Sequence, residues 1–135
     1  MTAAMTVFAR LFSSLLVAAF TALGPSTAHA AGARYEQAAF DRAVAAGGPV
    51  ALHVSADWCP TCKAQKPVVD ALLKEPRMKP MRLFVADFDT EKALRKSLRV
   101  EQQSTFVLFK NGREVARSTA EIDRDALARI FAKAL

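Results

Sequence analysis

The sequence predicts an α/β fold: a mixed, mainly parallel four-stranded sheet with an antiparallel edge hairpin and helices on both faces. Three observations carry this. From residue 35 onward, short apolar runs bounded by turn-formers alternate with stretches of helical periodicity. The runs at 50–55 and 81–87 are apolar with little polar alternation, as strands buried inside a sheet are. Asn111-Gly112 separates two further runs by two residues, the strongest short-range hairpin signal. Strands alternating with helices imply parallel pairing through right-handed crossovers, so the hairpin supplies the one antiparallel edge.

The chain has 135 residues, 52% apolar, with 5 Gly and 6 Pro, which suits one compact domain. Residues 1–30 stand apart. They carry a single charge, Arg10, then an apolar run from Leu11 to Leu23 and small residues ending in Ala28-His29-Ala30. This is the layout of an export signal with an A-x-A cleavage site, and the sequence predicts cleavage after Ala30. A membrane anchor is the alternative, but a run interrupted by Ser13, Ser14 and Thr21 falls short of the ~20 residues a spanning helix needs. Residues 31–135 then form the mature domain. Loss of Arg10 leaves 18 basic groups against 13 acidic ones, a net charge of +5.

Within that domain the elements follow in order. Tyr35 to Ala46 places Phe40 and Val44 on one face and stops at Gly47-Gly48-Pro49, so a first helix is expected. Val50 to Ser55 reads as a buried strand. Pro60 suits the first turn of the next helix, where its missing N–H would be unpaired in any case. Ala64, Pro67, Val68, Ala71 and Leu72 carry that helix to about Lys74, with Pro67 as an expected kink. Met81 to Asp87 is a second strand, Thr90 to Leu98 a helix, Thr105 to Lys110 a third strand and Arg113 to Ser118 its return. Asp123 can cap a last helix with an apolar stripe of Leu127, Ile130, Phe131 and Ala134. Phe84, Phe88, Phe106 and Phe109 are spaced as core residues. No repeat or low-complexity tract is present, and the dispersed basic residues come with no nucleic-acid motif.

The chemistry lies in Cys59 and Cys62. Two residues apart, they close almost no loop, so a bridge between them would add little stability. In the export compartment disulfides form and persist, so reversible thiol chemistry is the better reading. A zinc half-site is the alternative, but a structural site needs four ligands and residues 31–135 offer two Cys and one His. At a helix start, unpaired backbone N–H groups favour a negative sulfur, which predicts a thiolate-rich, nucleophilic Cys59. It would form a mixed disulfide with a substrate that Cys62 then resolves.

Ala56-Asp57-Trp58-Cys59-Pro60-Thr61-Cys62-Lys63 resembles the active-site segment of the thioredoxin family. Pro67, Asp87-Phe88-Asp89 and Phe106-Val107-Leu108-Phe109-Lys110-Asn111-Gly112 extend the resemblance over residues 50–135. The Ala-Asp-Trp-Cys wording is closest to exported bacterial members, including the carboxy-terminal domains of membrane disulfide reductases. The resemblance implies a thioredoxin-like fold, Cys59 as attacking and Cys62 as resolving cysteine, and Trp58 as a shield and docking surface, with Pro60 and Thr61 between the cysteines.

The departures bear on reactivity. Ser104, ahead of Thr105, stands where the family has a cis-proline facing the sulfurs. A cis bond before serine costs about 2.5–4 kcal/mol, so a trans bond is expected. His53 replaces the family's buried acid and could accept a proton from Cys62; as a lone histidine on a strand it could equally be a hydrogen-bonded core residue. Val85 and Ala120 replace a lysine and a glycine.

The sequence thus predicts a periplasmic, monomeric thiol-disulfide oxidoreductase with a redox-active Cys59–Cys62 pair and no cofactor. Its partners would be disulfide-containing exported proteins and a membrane disulfide reductase as electron donor, with no nucleic acid among them. The competing reading, motivated by Ser104, is a binding module in which Cys59, Cys62 and His53 hold a soft metal such as Cu(I), or in which two subunits share an iron-sulfur cluster. A redox-inert interaction domain is the third.

Overall fold

The computed structural model describes residues 32–135. The expected leader and its cleavage after Ala30 lie outside the described residues. The elements are β1 (Ala33–Arg34), α1 (Gln37–Ala45), β2 (Val50–Ser55), α2 (Pro60–Leu73), a 3₁₀ turn (Pro76–Met78), β3 (Arg82–Asp87), α3 (Lys92–Leu98), β4 (Thr105–Lys110), β5 (Arg113–Thr119) and α4 (Arg124–Ala132). The sheet order is β1-β3-β2-β4-β5.

The sheet is mixed and helix-covered as expected, with two corrections. It has five strands rather than four. β1 is too short to show any period in sequence and exists through its pairing with β3, extended by a 2.7 Å bond from Tyr35 N–H to Val85 O. Gly32 permits the approach, since a Cβ there would stand 2.7–2.8 Å from the Leu83 and Val85 side chains. Second, β4 runs antiparallel to β2, so only β1·β3 and β2·β3 are parallel. A strand buried on both faces reads the same in either direction, which is why its pattern did not reveal the pairing.

α1, α2 and α4 each begin where a side chain takes up free N–H groups. Glu36 accepts from Ala38 and Ala39 at 3.1 and 2.8 Å, and Asp123 accepts from Ala126 at 2.8 Å. α3 starts at Lys92, later than expected, because the Asp87 carboxylate draws the Asp89 and Thr90 N–H groups into a turn at 2.9 Å each. The β4–β5 hairpin turns on Asn111 and Gly112 with φ of 50° and 74°, the left-handed pair this tight turn requires.

Alternation along β4 divides the core. Phe106 and Leu108 face α2 and α4, where they pack with Val69, Leu72, Leu127 and Phe131. Val107 and Phe109 face α1 and α3, where Phe40 meets Phe84 and Phe109 edge-on at 5.5 Å. Phe88 is half-buried beneath the Arg95 guanidinium, 3.6 Å from its ring centre. The buried face of α2 is Cys62, Gln65, Val69 and Leu72; of the Ala64, Pro67, Val68, Ala71 and Leu72 set the sequence singled out, Leu72 is buried and Val68 packs against the core, while Ala64, Pro67 and Ala71 are exposed.

Candidate active site

β2 delivers the chain to the sheet end, where a turn closed by Cys59 N–H on Ala56 O at 3.1 Å leads into α2. Cys59 is the N-cap of α2, and its sulfur accepts the Cys62 N–H at 3.1 Å. Pro60 occupies the first turn, as its missing N–H predicted. Both cysteines are free thiols and almost wholly buried, 1% and 3% exposed.

Ser104 joins them. Its hydroxyl oxygen lies 3.0 Å from the Cys59 sulfur and 3.2 Å from the Cys62 sulfur. A hydroxyl has one hydrogen to donate, so it fits a pair that holds one thiolate and one thiol: it donates to the first and accepts from the second. No cis peptide occurs among the described residues, so the bond before Ser104 is trans as expected. Ser104 instead adopts φ 60°, and Ala120, whose N–H bonds Ser104 O at 3.0 Å, has φ 61°. Two L-residues in the left-handed region cost about 1–2 kcal/mol each, strain concentrated beside the sulfurs. The Thr105 hydroxyl bonds not a sulfur but Gln102 O at 2.8 Å and Thr119 Oγ1 at 2.9 Å, fixing the segment that carries Ser104.

His53 reaches the site from β2. It is buried, stacks on Phe106 at 4.2 Å and pairs through Nε2 with Gln65 Oε1 at 2.9 Å. Gln65 was not anticipated. It is 0% exposed and its amide nitrogen donates to Ser104 O at 3.1 Å and to Glu121 O at 2.9 Å. A polar residue on the buried face of α2, one turn past Cys62, was the available signal.

Burial pushes the Cys62 thiol up, but hydrogen bonding with the His53, Cys59 and Ser104 side chains and with the Ala56 backbone outweighs it and brings it down from 9.0 to about 5. The sequence led us to expect the thiolate on Cys59; the sulfur that collects these bonds is Cys62. At neutral pH the pair therefore carries a negative charge, and the shared Ser104 hydroxyl lets the remaining proton pass from one sulfur to the other.

Trp58 is 57% exposed and no core residue; its Nε1–H donates to Asp89 Oδ2 at 2.8 Å, which holds the indole beside the cysteines. Pro60 is exposed and Thr61 half-buried, both on the first turn of α2. The metal reading is not supported by the geometry: the described residues contain no group of three or more His, Cys, Asp or Glu able to hold an ion, and His53 Nε2 is engaged by Gln65.

The family model described as Thioredoxin matches residues 32–133. A thioredoxin from Chlamydia trachomatis is 33% identical over 88 residues, covering 65% of this chain and 84% of that protein. The crystal structure of Trxlp from Edwardsiella tarda superimposes with a TM-score of 0.72 at 42% identity, covering 75% of this chain and 98% of that one. A thioredoxin from Halobacterium salinarum superimposes with a TM-score of 0.68 at 26% identity, over 78% and 93% of the two chains.

Proposed function

The chain belongs to the thioredoxin family and is a thiol-disulfide oxidoreductase; from that premise we propose that it reduces or exchanges disulfides of exported proteins, with Cys59 attacking and Cys62 resolving. The observation that carries this reading is the reduced pair itself, one sulfur capping α2 and both bridged by Ser104. In the free protein the proton of the pair rests on Cys59; as substrate docks it passes through the shared Ser104 hydroxyl to Cys62, and Cys59 becomes the attacking thiolate. It attacks one sulfur of a substrate disulfide, and the other substrate sulfur departs with the electron pair. Cys62 then gives up its proton and attacks Cys59, the bond between Cys59 and the substrate breaks, and the second substrate sulfur leaves as thiolate. The oxidised protein returns to the dithiol form by the same steps run against a donor dithiol.

Exposed Trp58, tethered by Asp89, supports a docking face for the substrate chain next to Cys59. His53, which lowers the Cys62 thiol, supports its assignment as the group that takes the Cys62 proton. The periplasmic location and the cleaved leader rest on the pattern of residues 1–30, and the membrane disulfide reductase as donor follows from that location, where no reduced thiol pool would recharge the pair.

Two measurements test this. Reduction of insulin at the expense of dithiothreitol should be catalysed by the wild type and lost in Cys59→Ser; undiminished catalysis by that variant refutes the exchange cycle. Mass spectrometry of the protein recovered from the periplasm should show a chain starting at Ala31, whereas an intact chain recovered from the cytoplasm refutes export.

A further inference from the structure

We propose that Gln65 is a positioning residue that fixes the tautomer of His53, so that Nδ1 is the atom through which the imidazole exchanges a proton with Cys62. The proposal rests on the reading of this site as a thiol-disulfide centre and adds the residue that prepares its proton acceptor.

The argument is one of hydrogen-bond inventory. Gln65 sits on the buried face of α2, one turn past Cys62, where a helix packed on a sheet ordinarily places an apolar side chain. Its carboxamide meets three partners. Two are backbone carbonyl oxygens, of Ser104 at 3.1 Å and Glu121 at 2.9 Å, and a carbonyl oxygen can only accept. The amide atom facing them is therefore the nitrogen, and both of its hydrogens are committed. The opposite orientation would set the amide oxygen against two carbonyl oxygens in a buried site and leave every one of them unpaired.

With the nitrogen so placed, Oε1 faces His53 Nε2 at 2.9 Å. An amide oxygen also only accepts, so Nε2 must carry a hydrogen and donate it. In neutral His53 the other nitrogen, Nδ1, is then the basic one, and any proton the ring takes up goes there. The two backbone carbonyls thus orient Gln65, and Gln65 orients the histidine.

A cavity of about 250 Å³ between α2, β2 and β3 is lined by both His53 and Cys62 and by neither Cys59 nor Ser104. The two sulfurs consequently have different surroundings: Ser104 bridges them, and Cys62 alone opens with His53 onto the cavity. Small side chains, Ser55 and Val85, leave that space, which is large enough for water and gives the imidazole a route for protons. Charged groups around it are Asp57 from the loop after β2 and Lys63, Lys66 and Asp70 from α2, with Lys66 paired to Asp70 at 2.7 Å. β3 contributes uncharged Leu83 and Val85, and β4 the Phe106 ring stacked on His53.

This arrangement matters most after the mixed disulfide has formed. Cys62 has then lost the hydrogen bond from the Cys59 thiol, one of the groups that lowers it, while Ser104 still bonds the sulfur and the bare Nδ1 of His53 is free to accept the thiol's proton. As the Cys62 sulfur attacks Cys59, its proton passes to His53 Nδ1, its electron pair makes the new S–S bond, and the Cys59–substrate bond breaks with the substrate sulfur leaving as thiolate. The imidazolium returns the proton to solvent through the cavity or to the departing thiolate.

Long-range ¹H–¹⁵N correlation spectra of the reduced full chain test the assignment, with a His29→Gln variant telling the two histidines apart. Neutral His53 should be the Nε2–H tautomer. Gln65→Leu should abolish that preference and slow resolution of the mixed disulfide about tenfold, a small part of the ~10²–10⁴ that a positioned base supplies. An Nδ1–H tautomer in the wild type, or a tautomer unchanged in Gln65→Leu, overturns the proposal, and the wild-type spectrum decides alone if that variant fails to fold. An Nδ1–H tautomer with intact exchange counts against Gln65 only, whereas an Nε2–H tautomer without exchange counts against the functional reading only.

Discussion

Replacing Ser104 by alanine removes the one hydroxyl shared by both sulfurs, at 3.0 and 3.2 Å, and nothing else of comparable size. A hydrogen bond to a charged group contributes roughly 1.5–3 kcal/mol. Because one hydroxyl hydrogen serves two sulfurs, we take the lower end, about 1.5 kcal/mol. One pKa unit corresponds to about 1.4 kcal/mol, so the Cys62 thiol should rise by roughly one unit from about 5. The disulfide form has no thiolate to stabilise, so the substitution weakens the reduced state alone. For a two-electron couple about 30 mV corresponds to about 1.4 kcal/mol, and the pair should become more reducing by roughly 30 mV. Equilibration with glutathione buffers gives the potential, and ultraviolet thiolate absorbance against pH gives the titration. Ser104→Gly serves as control. It removes the same hydroxyl but accepts φ 60° freely, so it should reproduce the redox shift while gaining about 1 kcal/mol of stability over the alanine variant. Unchanged potential and titration in both variants, or a shift to a more oxidising pair, would refute the bridging role.

Two further outcomes follow from the same geometry. The Cys62 thiol is lowered from 9.0 to about 5, so its ionisation stabilises the reduced protein fully above about pH 9, progressively less below it, and not at all below about pH 5. The Tm advantage of reduced wild type over Cys62→Ser should accordingly shrink between pH 8 and pH 4, and a constant difference would contradict the lowered thiol. Trp58→Ala removes an exposed side chain held by one hydrogen bond, so unfolding free energy should change by no more than about 1 kcal/mol. The rate with a protein disulfide should fall several-fold while that with a small-molecule disulfide hardly changes; equal losses on both would argue against docking at Trp58.

Bounded apolar runs made β2 and β4 legible to the residue, because burial on both faces and flanking turn-formers fix where such strands begin and end. Direction was not legible, since pairing is a property of two segments and β4 carries no mark of which way it runs. The two residues of β1 show no period at all. In α2 the apolar spacing picked out Leu72, which is buried, and Val68, which packs against the core, but also the exposed Ala64, Pro67 and Ala71, and it missed Gln65, which faces the sheet but is polar. Ser104 was visible as a departure from the family pattern, but its contact with both sulfurs needed the fold to bring residues 59, 62 and 104 together. His53 was visible as a lone histidine on a strand. Its orientation depends on Gln65 and on the carbonyls of Ser104 and Glu121, which are distant in sequence, and no local pattern encodes that.

The central claim, that Cys59 attacks and Cys62 resolves, is tested most directly by trapping the mixed disulfide. A disulfide-bonded peptide incubated with Cys62→Ser should leave a stable adduct whose mass and fragmentation place the peptide on Cys59, while the wild type passes through to the Cys59–Cys62 disulfide. An adduct that forms on Cys62 in Cys59→Ser, with none on Cys59 in Cys62→Ser, would reverse the roles of the two sulfurs and contradict the account.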